Sequence, residues 1–214
     1  SSGCRALERK IEISYLGPPG TYSELAARTL FGHQVILHPY DSLDEVVRVA
    51  EIGKTDLALI PVENSTEGTV GKSLDLLLKT SLPISAELSI PIHHLLLRKI
   101  DSLDSIKEIV AHGQSLSQCQ NWLDKNLPNV PRVALESNGV AARKASEDSS
   151  LVAIAGNLAK KKYKLNTIAS RIENDSSNRT RFAALGNFIP DSCGCDQTSL
   201  ILSVPDKAGA MLSL

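Results

Sequence analysis

A chain of 214 residues, 42% hydrophobic and 22% charged with a net charge of −1, can hold one medium domain or two small lobes around real cores. The near-neutral balance excludes the electrostatic footprint of a nucleic-acid or anionic-membrane binder, and no apolar run approaches the ~20 residues that span a bilayer. The N-terminus lacks a secretory h-region and the only close cysteine pair is Cys193-Gly194-Cys195, so we expect a cytoplasmic protein with no metal and no other cofactor.

Ile11 to Leu16 reads as a strand ending at a Gly/Pro turn. Thr21 with Glu24 has the spacing of a capping box and opens a helix to about Phe31. Gln34 to His38 is a second short strand. Ser42 with Glu45 is another capping box, and its helix puts Leu43, Val46, Val47 and Ala50 on one face. Asp56 to Pro61 is a near-continuous apolar strand of the kind buried in a parallel sheet. A helix is predicted from about Thr69 to Thr80. Alternating units of this size argue for an α/β fold.

The extended segment Ile84 to Leu97 breaks that rhythm and reads as a crossing into a second lobe. Within that lobe we predict strands near Ile109-Val110, Arg132 to Leu135 and Leu151 to Ala155. Helices are predicted from Ser115 to Leu127, from Gly139 to about Glu147, and up to Tyr163. Leu165 to Glu173 is the return crossing, which brings Thr180 to Gly186 back to the first lobe. Lobe 1 is thus expected over residues 11–84 and 178–190, and lobe 2 over 85–177. Two α/β lobes joined by two crossings enclose a cleft, the geometry of a type II periplasmic-binding-protein-like fold. Residues 191–197 form a turn-rich linker. Residues 198–214 begin a further strand and helix, and residues 1–10 read as a tag remnant or the tail of an upstream helix.

Polar residues gather where strands hand over to helices. Thr21 and Ser23 sit at a helix N-terminus, where free N–H groups and the dipole favour a carboxylate; both are equally explained as caps. Asn64 and Ser65 leave a buried strand at its carboxyl end, where open α/β sheets place ligands. Asn138 occupies a similar junction. Thr180-Arg181-Phe182 starts an apolar strand whose alternation puts Thr180 and Phe182 on one face and Arg181 on the other. Arg181 is either a partner for a substrate carboxylate or one half of a salt bridge to Glu63 or Glu67. His112 ends a strand facing the expected cleft, and histidine is the side chain suited to proton transfer near neutral pH, so an acid role and a loop-tying role stand level. Gln118 and Cys119 read as structural, the former completing a capping box with Ser115. His93 and His94 point to opposite faces and form no metal pair.

Five segments in this order carry a family likeness: Tyr-Leu-Gly-Pro-x-Gly-Thr-Tyr-Ser at Tyr15 to Ser23, Pro-Val-Glu-Asn-Ser at Pro61 to Ser65, Pro-Ile-His-His at Pro91 to His94, His112 to Cys119, and Asn-x-Thr-Arg-Phe from Asn178. Over Ile11 to Pro190 the chain resembles prephenate dehydratase. His112-Gly113-Gln114 with Trp122-Leu123-Asp124 resembles the bifunctional chorismate mutase–prephenate dehydratases. The two ends are similar to the mutase's last helix and to the opening of a phenylalanine-binding ACT domain.

That resemblance implies decarboxylating dehydration of prephenate to phenylpyruvate, without cofactor or metal. It also implies a homodimer in the full-length protein and a phenylalanine effector site largely missing from these residues. Thr180 is the residue the family identifies with catalysis. A threonine hydroxyl is too weak an acid for conventional general acid catalysis, so we read it as a hydrogen-bond donor to the leaving oxygen. Arogenate as substrate, and a non-catalytic small-molecule binder of the same shape, are the alternative readings.

Overall fold

The computed structural model of the protein describes residues 9–187. The linker at 191–197, the ACT-like start at 198–214, residues 1–8 of the expected upstream tail and residues 188–190 of the first lobe lie outside the described residues.

The first sheet is built from β1 (Glu12–Leu16), β2 (Ile36–Tyr40), β3 (Leu57–Asn64), the short β4 (Gly68–Thr69), β5 (Ile84–Pro91) and the last strand, β11 (Arg179–Leu185). Helices α1 (Tyr22–Phe31), α2 (Leu43–Glu51) and α3 (Gly71–Lys79) connect them. The second sheet takes β6 (Leu95–Arg98), β7 (Glu108–His112), β8 (Arg132–Leu135), β9 (Leu151–Ala155) and β10 (Asn166–Ser170). Its helices are α4 (Gly113–Gln118), α5 (Gln120–Asn126), α6 (Asn138–Glu147) and α7 (Asn157–Tyr163). The strand orders are β2-β1-β3-β11-β5 and β10-β6-β9-β7-β8.

Read from opposite ends, these two orders are the same topology. Each sheet has a parallel trio, then an antiparallel strand that the chain supplies on crossing from the other lobe, then an edge strand. The visitor is β11 in the first sheet and β6 in the second. That exchange ties the lobes together through two segments, residues 92–94 and 171–178. It is the architecture expected from the sequence.

Period-two alternation sorts the first core into two layers. Ile13, Tyr15, Leu57, Leu59, Phe182 and Ala184 face α1. Ala58, Ile60, Ala183 and Leu185 face Val46, Val47 and Ala50 of α2. The second lobe packs Leu96, Ile109, Cys119, Leu123 and Ile154 in the same manner. Burial holds the Cys119 thiol in its neutral form by pushing its pKa up to about 12, which fits its inward packing.

Three expectations are corrected. Residues 85–91 are not part of the second lobe: β5 pairs along its length with β11, so the first sheet reaches Pro91 and the crossing is confined to 92–94. The helix expected over Ser115 to Leu127 is two helices. The Gln118 carbonyl accepts the N–H of Asn174 at 2.6 Å, so the second crossing takes an acceptor that a continuous helix needs. The third concerns the caps. Ser42 does accept from the Glu45 N–H, but Thr21 makes no side-chain cap, and Glu24 reaches back to the Gly20 N–H instead.

The lobes touch at one side of the cleft. A β-carbon on Gly139, at the start of α6, would lie 3.0 Å from Pro18 Cγ and 3.3 Å from the Pro19 carbonyl oxygen. A side chain there would press on Pro18 and Pro19, which would have to give by a few tenths of an ångström for the lobes to stay this close.

Candidate active site

A cavity of about 700 Å³ opens between the lobes. Its apolar floor comes from Leu16, Leu25, Ile92 and Phe182, and its polar walls from Thr21, Ser23, Asn64, His94, His112, Gln118, Asn138 and Thr180. The carboxyl ends of parallel strands from both lobes converge on it, as open α/β sheets require of a ligand site. Among the described residues that line it, none is lysine or arginine. An anion here is therefore met by N–H and hydroxyl donors. The N-termini of α1 and α6 both contribute to the wall, and the first N–H groups of a helix have no intrahelical acceptor.

The polar side chains on the first-lobe wall form a network whose direction is fixed. Asn64 Oδ1 accepts the backbone N–H groups of Thr66 at 3.0 Å and Glu67 at 3.3 Å. Backbone amides can only donate, so the Asn64 amide has one orientation. Its Nδ2 then donates to Asn178 Oδ1 and to Thr180 Oγ1, both at 2.9 Å. Asn178 is oriented in turn, and its Nδ2 donates to Gln118 Oε1 at 3.3 Å. Gln118 Nε2 is left to donate to Glu67 Oε1 at 3.2 Å, and both residues line the cavity. The consequence for Thr180 is specific. Its oxygen already accepts from Asn64, so its own proton is free to be donated into the cavity.

A β-bulge makes this network possible. Thr180 lies opposite Asn64 and Arg181 opposite Glu63, but Phe182 lies opposite Pro61. The extra residue in β3 brings Pro61 and Asn64 to the same face, where simple alternation would separate them. Thr180 and Phe182 share the cavity face, as the alternation of β11 predicts.

Most of the expected site residues meet at the cavity: Thr180, Asn64, Thr21, Ser23, His112 and Asn138. Ser23 is buried there. Asn138 ties two helix starts together, accepting the His112 N–H on Oδ1 and donating from Nδ2 to Ser115 Oγ at 2.7 Å. His112 caps α4, its Nδ1 accepting from the Gln114 N–H.

Two of the expected contacts are corrected. Ser65 does not line the cavity; it donates its N–H to the Arg179 carbonyl and accepts the Arg179 N–H on Oγ, clamping the end of β3 to the start of β11. Arg181 lies on the opposite sheet face, paired with Glu63 at 3.0 Å and Glu87 at 3.2 Å. These pairs are half-exposed, and such pairs contribute little to stability. Arg181→Ala is accordingly expected to change turnover by less than about threefold and stability by about 1 kcal/mol or less. Steady-state kinetics and a thermal melt check both.

Gln118, Asn178 and His94 are the site residues that the sequence reading missed. The spacing predicts a capping box of Gln118 with Ser115, but α4 is capped by His112 and Gln118 lines the cavity. The signal was present in position: Asn178 precedes Thr180 by two residues, and Gln118 follows His112 by six. No spacing rule shows that residues 60 positions apart share a hydrogen bond.

Two open sheets that exchange a strand, with donors and helix starts turned into one interlobe cavity, define a two-lobed α/β protein with a candidate small-molecule site between its lobes. The family model described as prephenate dehydratase matches residues 13–188, and the chain belongs to that family. It is 43% identical to the bifunctional chorismate mutase/prephenate dehydratase of Neisseria gonorrhoeae, covering 100% of this chain and 60% of that protein. The corresponding protein of Stutzerimonas stutzeri is 42% identical, over 100% of this chain and 59% of its own length. The chain therefore spans about three-fifths of the curated relatives it matches. Among solved structures, the prephenate dehydratase of Arthrobacter aurescens in complex with L-Phe superposes with a TM-score of 0.83 at 29% identity, covering 94% of this chain and 69% of that one.

Proposed function

We propose that this protein is a carbon–oxygen lyase that converts prephenate to phenylpyruvate. In that reaction the bond from the ring to its carboxylate breaks and carbon dioxide departs. The released electron pair enters the ring, the opposite carbon–oxygen bond breaks, and the ring becomes aromatic. The dianion takes up one proton overall, so that oxygen leaves as water. The chain must hold two carboxylates, exclude water and supply a donor at the departing oxygen.

The observation that carries this reading is the hydrogen bond from Asn64 Nδ2 to Thr180 Oγ1 at the cavity, which leaves the Thr180 proton free to be donated. A donor held in advance where charge develops does not have to reorganise during the reaction. The ring carboxylate and the pyruvyl carboxylate would be met by the N–H groups and hydroxyls at Thr21 and Ser23 and by the start of α6. Phe182, Leu25 and Ile92 offer an apolar bed for a ring that becomes flat and aromatic. The test is turnover of purified protein on prephenate, followed by phenylpyruvate absorbance. Binding without product would instead support a non-catalytic module.

Arogenate is the second reading, and one observation favours it. Asp41, Glu67 and Glu136 also line the cavity, and a carboxylate near the side-chain end would suit an ammonium group. Parallel assays with the two substrates separate these readings by their kcat/KM.

His112 is the proposed source of the proton. Nδ1 is engaged with the Gln114 N–H, so Nε2 is the nitrogen left to deliver a proton, which it would do from the protonated ring. His112→Asn is expected to slow turnover by about tenfold to a hundredfold, the low end of the acid–base range, and to abolish the alkaline limb of the pH–rate profile. An unchanged alkaline limb would assign the proton to another group.

A further inference from the structure

His94 lies on the first crossing segment, is 2% exposed and lines the cavity. Its main chain is pinned to the other crossing: its N–H donates to Glu173 Oε2 at 2.9 Å, and its carbonyl accepts from the Ile172 N–H at 3.2 Å. Its ring meets the Tyr22 ring edge-on, with centroids 6.1 Å apart at 79°. The remaining contact is Nε2 to Gln118 Oε1 at 3.0 Å. The direction of that bond follows from the network above. Gln118 Oε1 already accepts from Asn178, so it is an amide oxygen, and His94 Nε2 must carry a hydrogen.

We infer that His94 is a positioning residue, which by donating from Nε2 to Gln118 Oε1 holds the Gln118 amide with its NH₂ group turned toward the substrate cavity. The inference rests on the proposed reaction for its kinetic consequence. At 3.0 Å it is the closer of the two donors on Gln118 Oε1; Asn178 stands at 3.3 Å. Without His94 the amide can rotate and present its oxygen to the carboxylates of substrate and Glu67. The other ring nitrogen supports this assignment. His94 Nδ1 is buried and has no hydrogen-bond partner among the described residues. A bare buried acceptor is unfavourable, so packing alone does not account for a histidine at this place. Burial also lowers the His94 pKa, against the opposing pull of Gln118 and Glu173. The ring is therefore neutral at pH 7, with its one proton on Nε2.

The experiment is a double-mutant cycle on the full chain. His94→Leu alone is expected to lower kcat by about tenfold or more with KM changed less than about threefold, and by less than about twofold in a Gln118→Ala background. Equal losses in both backgrounds would overturn the inference, because His94 would then act independently of Gln118. Two polar variants cover a failure of His94→Leu to fold. His94→Gln keeps a donor at the right reach and should retain activity within about threefold, whereas His94→Asn is too short and should lose it. Similar activity of the two would also overturn the inference. A long-range ¹H–¹⁵N correlation spectrum reads the tautomer without any assay. A proton on Nε2 and a bare Nδ1 are expected, and the opposite tautomer would contradict the inference even if prephenate turnover were normal. If the unaltered protein did not turn over prephenate, the functional reading would fall and the spectrum would still decide the placement of Gln118.

Discussion

Thr180→Ala is expected to reduce turnover of prephenate by roughly two to three orders of magnitude, the cost of removing one donor from an oxyanion-type site. The reason lies in the direction of the network. Asn64 donates to the Thr180 oxygen, so the threonine proton is free for the cavity, where on the proposed reaction it would meet the departing oxygen as charge builds on it. A contact that strengthens mainly in the transition state contributes to kcat and little to substrate binding. KM should therefore stay within about threefold of its original value. The side chain is small and half-buried, so the fold should survive. A loss of tenfold or less would assign the work to another donor, with Gln118 or His112 next in line.

Asn64→Asp is expected to be about as damaging, and it tests the orientation of the network rather than the presence of the hydroxyl. One carboxylate oxygen would keep the N–H groups of Thr66 and Glu67, so the turn after β3 should hold. The other oxygen would replace a donor by an acceptor. It would face Asn178 Oδ1, which now receives a hydrogen bond at 2.9 Å, and it would draw the Thr180 proton away from the cavity. The proposed substrate is a dianion, and the variant would add a negative charge beside it. Turnover should fall by roughly a hundredfold or more, and KM should rise as well, unlike in Thr180→Ala. Circular dichroism and a thermal melt would show that the protein remains folded. Activity within about tenfold of the original would mean that the direction of the Asn64–Thr180 bond is unimportant.

The separate behaviour of those two variants reflects what local sequence can and cannot carry. Alternation along β11 places Thr180 and Phe182 together and Arg181 apart, and the structure agrees because β11 is regular at that point. The same rule applied to β3 fails. A bulge between Pro61 and Asn64 brings Asn64 onto the cavity face and leaves Ser65 to clamp Arg179. Nothing in Pro61 to Ser65 announces that bulge, since it arises from pairing with a strand more than 100 residues away in the chain. The split between α4 and α5 has the same origin: a crossing segment takes the Gln118 carbonyl. Helix starts, apolar strands and the two-lobed plan were legible because each follows from residues close in sequence. Gln118, Asn178 and His94 were not, because their roles exist only once the lobes and both crossings are assembled.

The approach of the two lobes beside the cavity depends on that assembly too. Gly139 is packed against Pro18 and Pro19 of the other lobe, and both loops flank the cavity. The helix starts that would meet the two carboxylates are therefore brought together by the same contact that joins the lobes. On the proposed reaction, water exclusion from the departing carboxylate and recognition of the dianion would share one structural cause.

The central claim is that the interlobe cavity holds prephenate with its ring hydroxyl at Thr180. A crystal structure of the Thr180→Ala variant soaked with prephenate tests this most directly, because slow turnover lets substrate accumulate. The account predicts substrate between the lobes, with its ring hydroxyl beside residue 180 and Asn64 Nδ2. At least one carboxylate should lie within hydrogen-bonding distance of Thr21, Ser23 or the first N–H groups of α6. Prephenate bound outside the cavity, or inside it with a carboxylate where the hydroxyl should be, would contradict the account.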